Sequence, residues 1–265
     1  MVQVCSLGGG KASTALFLMS LHGEIENPAD VGIFADTGQE RQSTYDTIEY
    51  LQKFGNSKGV PVHIVKSDKL PEIWTNALNP TSKVGDIPFH TIDKNGKKTM
   101  LGKYCTGEYK RDPIRKFIRN EFNATFKSPV SIWLGYTMDE ATRRKDSDRK
   151  YEIRRYPLLE KRLYRYHCEQ YLKELGLETV QRSACIFCPY RRDEEYTEMP
   201  EEEIQRAIQF EEEVNEARGI ITAEKGTEAP LRIHPSLEPL STRPFENNKQ
   251  LGLFDEMCDG GSCWT

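Results

Sequence analysis

Apolar and polar positions alternate in blocks over the first 66 residues. Val2 to Leu7 is a mainly apolar run that breaks at Gly8, Gly9 and Gly10 and resumes as the helical pattern of Ala15 to Leu21. Val31 to Ala35 is a second short β-rich run, ended by Asp36, Thr37 and Gly38. Gln39 to Phe54 then carries helical spacing at Tyr45, Ile48 and Leu51, and residues 61 to 66 (PVHIVK) are a third run. Short apolar runs joined by helical patterns predict βα units, so the expected fold class is α/β with a doubly wound parallel sheet. Asp36, Thr37 and Gly38 then fall at the carboxyl end of the second strand, where open α/β sheets bind ligands.

Beyond this block the pattern loosens. Leu78 to Gly102 is dense in turn signals and reads as a long loop with a hairpin at Asn95-Gly96. A helix is expected to start near Pro113, since proline is tolerated in a first helical turn. Val130 to Tyr136 reads as another buried strand, Arg165 to Leu175 as a helix stopped by Gly176, and Gln181 to Tyr190 as a loop. Pro200 to Arg218 is the most polar helix and is expected on the outside, capped by Gly219. The expected division is a nucleotide-binding α/β domain over 1–190, an outer helix over 191–219, and an irregular extension over 220–265 that ends in a cysteine tail.

Charge and cysteine content narrow the function. A net charge of −4 argues against a protein that coats nucleic acid, yet Arg143 to Arg165 holds ten Lys or Arg against four Asp or Glu. That stretch is either a solvated face or a grip on an anionic partner such as a nucleic acid acceptor. No apolar run approaches the roughly 20 residues that span a bilayer, so a cytoplasmic protein without membrane contact is expected. Seven cysteines in such a compartment point to metal or redox work rather than to disulfide staples. Cys5, inside the first strand, is most simply a small buried hydrophobe.

The chemistry gathers at two places. A strand, a glycine turn and a helix start present unpaired N–H groups and a helix dipole to an anion. Ser6, Ser13 and Thr14 add hydroxyls, Lys11 adds a cation, and Gly8, Gly9 and Gly10 allow close backbone approach. The competing reading is an ordinary βα turn. Cys185 and Cys188 form a C-x2-C pair before Pro189, and Cys105 and Cys168 are available to complete a four-thiolate site. Zinc and a 4Fe-4S cluster, a dithiol redox pair, and two unrelated thiols all remain open.

Four segments, in order, resemble the phosphoadenosine phosphosulfate (PAPS) reductase family of the adenine nucleotide alpha-hydrolase (PP-loop) superfamily, and in particular its phage and prophage reductase-like members. They are SLGGGKAST (6–14), DTGQERQSTY (36–45), CTGEYKRDP (105–113) and SACIFCP (183–189). The resemblance implies an adenine nucleotide (ATP, PAPS or adenylyl sulfate) with its phosphates on Ser6 to Thr14 and its sugar or base near Phe34 to Gly38. Asp36 would touch the nucleotide or its magnesium. Lys110 stands in the place of the family's lysine, and Arg143 and Arg144 open the basic stretch that would neutralise sulfate or phosphate. The cysteine pair stands where many relatives ligate a 4Fe-4S cluster, with zinc as the alternative. Cys105 is followed by Thr106 rather than a second cysteine, so Cys168 would have to supply the fourth ligand. Cys258 and Cys263 would serve as nucleophile and resolving thiol, with a thioredoxin-like reductant. Ala12 replaces the aspartate of the ATP-cleaving loop. Three functions follow as expectations: reduction of a sulfonucleotide, ATP-dependent adenylation and thiolation of a nucleic acid, and nucleotide binding without catalysis.

Overall fold

The computed structural model describes residues 1–68, 72–79, 87–224 and 229–243, with backbone alone over 218–224. Five parallel strands form the central sheet: β1 (Gln3–Leu7), β2 (Val31–Ala35), β3 (Val62–Val65), β6 (Val130–Trp133) and β7 (Glu152–Arg155), in the order β3-β2-β1-β6-β7. The antiparallel hairpin β4 (His90–Ile92) and β5 (Lys98–Met100) stands apart from it. The doubly wound α/β architecture expected from the sequence is therefore present. Strand order reverses between β1 and β6, where the loops beyond the carboxyl ends diverge and leave a crevice.

Side-chain alternation along the strands divides two cores. Cys5, Leu7, Phe34 and Trp133 join the cluster under α1 (Lys11–Leu21) and α2 (Gln42–Ser57). Val4, Ile33, Ala35 and Ile132 join the opposite cluster with Ile114 and Ile118 of α4 (Asp112–Glu121). Helix α1 starts earlier than its apolar pattern suggests and is buried continuously from Ala12 to Ser20. It is enclosed by the sheet, α2 and α6 (Arg165–Glu174), so it needs no polar face.

A third cluster lies beyond the sheet and holds α3 (Ile73–Leu78), the hairpin, Ile186 and Phe187, and the C-terminal helices. After the short helices α5 (Pro157–Glu160) and α7 (Asp193–Thr197), helix α8 runs Glu201–Glu224, straight through Gly219. It is not a solvated outer helix. Ala207, Phe210 and Val214 are fully buried, and Phe210 stacks on Phe187 with ring centroids 3.8 Å apart. The described part of the C-terminal segment closes on the same cluster. Buried Glu211 accepts hydrogen bonds from the N–H groups of Ile233 (2.8 Å) and Leu240 (2.9 Å).

Candidate functional site

The glycine turn between β1 and α1 is held from three sides. Gly9 is left-handed (φ +75°), and a Cβ there would lie 2.6 Å from the Thr44 methyl of α2. A Cβ on Gly10 would lie 3.1 Å from Ser183 Oγ, and one on Gly135 would lie 3.0 Å from the Ser13 backbone. Gly10 caps α1 without a side-chain cap, so the first-turn N–H groups keep their lack of intrahelical acceptors. Ser13 Oγ accepts from Gly8 N (3.1 Å) and donates to the Gly10 carbonyl (3.2 Å), which fixes the turn internally. Lys11 Nζ is paired with Glu169 of α6 at 2.7 Å. Thr14 Oγ1 is buried with no hydrogen-bond partner among the described residues.

The loop after β2 is a compact polar knot. Asp36 Oδ1 accepts from Gly38 N (2.8 Å) and Tyr45 OH (2.9 Å), and Oδ2 pairs with Lys66 (3.0 Å). Burial and the adjacent Asp36 carboxylate push the Tyr45 phenol up, so it stays a donor. Glu40, fully enclosed, accepts from Lys110 Nζ (2.9 Å) and Thr37 Oγ1 (3.1 Å). Lys110 comes from a π-helical turn, Thr106–Arg111, that runs into α4. The C-x2-C loop is stitched to the same knot by an antiparallel bridge between Glu40 and Cys185 and by Ile186 N donating to the Gln39 carbonyl (2.9 Å). Cys185 Sγ lies 3.3 Å from Thr37 Oγ1 and 3.7 Å from Glu40 Oε1. Burial, reinforced by the Glu40 charge, pushes its thiol well up.

Two cavities flank the glycine turn. One, about 100 Å³ and mainly apolar, is lined by Ser6, Gly8, Phe34, Lys110, Arg182 and the three cysteines Cys105, Cys185 and Cys188. The other, about 430 Å³ and polar, is lined by Lys11, Arg41, Arg165 and Arg182 together with Glu140, Glu169 and Glu195. Arg182 lines both and pairs with Glu195 at 2.7 Å. Gly9, Gly10, Ser13, Thr14, Asp36, Thr37 and Gly38 support these walls and line neither cavity.

The four expected metal ligands do not converge. Cys168 sits one helical turn from Leu172 on the face of α6 packed against α1, and is fully buried in the first core cluster. Burial and the nearby Glu169 push its thiol up to about 12. Cys105, Cys185 and Cys188 share the apolar pocket, but among the described residues no three His, Cys, Asp or Glu side chains are grouped to hold a metal ion. A carboxylate against Cys185 is also a poor neighbour for a second anion. The donor set therefore does not fit a four-thiolate zinc or 4Fe-4S centre. Cys258 and Cys263 lie outside the described residues.

Part of the basic stretch is held by the fold, while Arg144, Lys145, Arg149, Lys150, Lys161 and Arg162 are exposed. Arg143 pairs with buried Glu140 and lies over Tyr136, and Arg154 pairs with Glu152. Arg155 lies over Trp133, pairs with Glu160 and donates to the Glu26 carbonyl. Arg144 lies over Tyr156 and lines a separate cavity. Tyr156, in the middle of the stretch, is buried and donates to the Lys145 carbonyl at 2.6 Å, so its ring is not open to a stacking base.

No family model matches the sequence, and no curated protein matches it. Among solved structures the chain is similar to a phosphoadenylyl-sulfate (PAPS) reductase from Candida auris, determined as a phosphate complex. The identity is 13%, the match covers 66% of this chain and 73% of that one, and the TM-score is 0.44. At that distance the likeness bears on neither substrate nor residue roles.

Sequence reading missed Glu40, Lys66 and Arg182. Each acts through a partner from a different segment, and no local pattern marks such pairs. Among the described residues no helix is long and apolar enough to cross a membrane.

Proposed function

We propose that this protein is an enzyme of sulfur metabolism that binds an adenine nucleotide, with a sulfonucleotide as its substrate. One observation carries the reading. Three of the four segments that resemble the PAPS reductase family, spread along the chain from Ser6 to Pro189, contribute Ser6, Gly8, Cys105, Lys110, Cys185 and Cys188 to a single pocket. The pocket lies at the carboxyl ends of β1 and β2 and its apolar wall suits a base, while the uncapped start of α1 borders the adjoining polar cavity through Lys11 and Ala12 and suits a phosphate.

In this reading the first-turn N–H groups of α1 receive the phosphate, and Lys110 faces the sulfonate. A thiolate of Cys258 or Cys263 attacks sulfur, so an S–S bond forms, the sulfur–oxygen bond to the nucleotide phosphate breaks, and the nucleotide leaves with the bonding pair. The second thiol, deprotonated, then attacks the first sulfur. Sulfite departs, the two cysteines become a disulfide, and a thioredoxin-like dithiol returns them to the thiol state. No step runs through a metal centre. Calorimetry with adenylyl sulfate tests binding, and mass spectrometry of the intact chain after incubation tests chemistry. A sulfite-sized adduct on Cys258 or Cys263 is the expected result. Binding with neither such an adduct nor a Cys258–Cys263 disulfide and released sulfite refutes the reductase step.

The polar cavity beside Lys11 favours a second reading, ATP-dependent transfer of sulfur to an acceptor, because it leaves room for pyrophosphate outside the apolar pocket. Release of pyrophosphate from ATP by a chain lacking residues 257–265 is the outcome that selects it.

A further inference from the structure

Glu40 plays no part in the nucleotide cradle, yet it is the most enclosed charge at the site. Its side chain has no exposed surface, and its Oε2 has no hydrogen-bond partner among the described residues. A carboxylate so placed is costly to keep ionised unless a cation balances it. Lys110 is that cation, 2.9 Å from Oε1. The same Lys110 is 19% exposed and lines the apolar pocket with Ser6, Gly8 and Cys105. One ammonium group therefore faces two ways, towards a buried carboxylate and towards whatever enters the pocket.

A ligand anion arriving there meets a charge already partly spent. A neutral ligand gains nothing from Lys110. An anionic ligand gains only the part of the attraction that Glu40 leaves over, so a compact, multiply charged group gains most. The backbone bridge from Glu40 to Cys185 and the bond from Thr37 prevent the carboxylate from swinging clear.

We propose that Glu40 is a positioning residue that sets the anion selectivity of the pocket, holding Lys110 on the pocket wall and competing with the ligand for its charge. The proposal rests on the reading that the pocket takes an adenine nucleotide. It adds that the favoured ligand carries a phosphosulfate or similarly dense anionic group near Lys110.

The test is calorimetry of the full chain with two probes, adenosine and adenosine 5′-phosphosulfate, at one salt concentration. The readout is the ratio of the two affinities, which cancels any general damage to the pocket. In Glu40→Gln the preference for the phosphosulfate should rise by roughly three- to tenfold, and in Lys110→Met it should fall by about tenfold or more. An unchanged ratio in Glu40→Gln, with both ligands weakened alike or neither affected, overturns the proposal and makes Glu40 a structural staple. Should Glu40→Gln fail to fold, the double variant Glu40→Leu/Lys110→Met replaces the buried pair with apolar groups, an exchange that folds tolerate. It should bind adenosine and phosphosulfate without the wild-type preference, and a retained preference overturns the proposal. A wild-type chain that binds neither probe refutes the nucleotide reading itself, and the proposal with it. Binding of both without the ratio change refutes the proposal alone.

Discussion

Alanine at Gly9 and alanine at Gly10 should have very different costs, although the residues are neighbours in one turn. At Gly9 the backbone is left-handed (φ +75°), which costs a residue with a Cβ about 1–2 kcal/mol. The new methyl would also stand 2.6 Å from Thr44 Cγ2, inside any real carbon–carbon contact, and forced repacking of that kind costs about 1–3 kcal/mol. The total is about 2–5 kcal/mol. At Gly10 the backbone is extended (φ −96°, ψ 172°), open to any residue, and the nearest atoms are Ser183 Oγ at 3.1 Å and Ser183 N at 3.2 Å. A shift of a few tenths of an ångström accommodates that methyl, at under about 1 kcal/mol. Thr44→Ser separates the two terms at Gly9, because it removes the clashing methyl and leaves the dihedral untouched. Urea unfolding of the wild type, both single variants and Gly9→Ala/Thr44→Ser closes a double-mutant cycle, with a coupling of about 1–3 kcal/mol expected. Equal stability of Gly9→Ala and Gly10→Ala within about 0.5 kcal/mol, or zero coupling to Thr44, refutes the account of the turn.

Glu211→Gln should destabilise by about 2 kcal/mol, because an amide presents N–H where the Ile233 or Leu240 N–H needs an acceptor, and amide exchange at those two positions should accelerate; unchanged exchange there contradicts the assignment. Cys168→Ser places a hydroxyl in an apolar core and should cost about 1–3 kcal/mol while leaving ligand affinity in the pocket intact; a loss of affinity at full stability would tie Cys168 to the site. Glu195 should contribute to acid sensitivity. Burial raises its carboxyl, but Arg182 and the Arg192 N–H outweigh burial and hold it below the ordinary 4.5. The folded value being the lower one, its contribution is complete above pH 4.5 and is lost as pH falls through the folded value, so urea midpoints measured downward from pH 6 should drop less in Glu195→Gln than in the wild type.

Strands buried on both faces were legible because their runs are continuous, as at Val31–Ala35 and Val130–Trp133. The edge strand β7 was not. Its sequence, EIRR, looks like part of a charged stretch, and only the structure shows Glu152 fully buried against Arg115 at 2.8 Å. Helix α8 misleads for a related reason. Eight glutamates dominate its composition, while the buried Ala207, Phe210 and Val214 occupy one stripe at helical spacing that composition hides. At the site, the glycine turn and the cysteine pair announced themselves through local chemistry. Glu40 did not, since its meaning depends on Cys185, 145 residues away, and on Lys110. Cys168 shows the converse, a residue type that suggests ligation placed by helical spacing in a core.

The bridge between Glu40 and Cys185 also has a consequence for the order in which the molecule takes shape. β1, β2 and β3 pair as neighbours and all lie within the first 65 residues, so their sheet can form early. The pocket wall cannot, because it needs a contact that closes most of the chain into one loop, and such contacts come late in folding. A ribosome that has emitted the first hundred residues has released the glycine turn but none of the cysteine loop that faces it. Any nucleotide that needs both walls would ignore that fragment and clamp the finished chain. Bound ligand would therefore act as a proofreader of completion, shielding from proteolysis only those copies whose two distant loops have met.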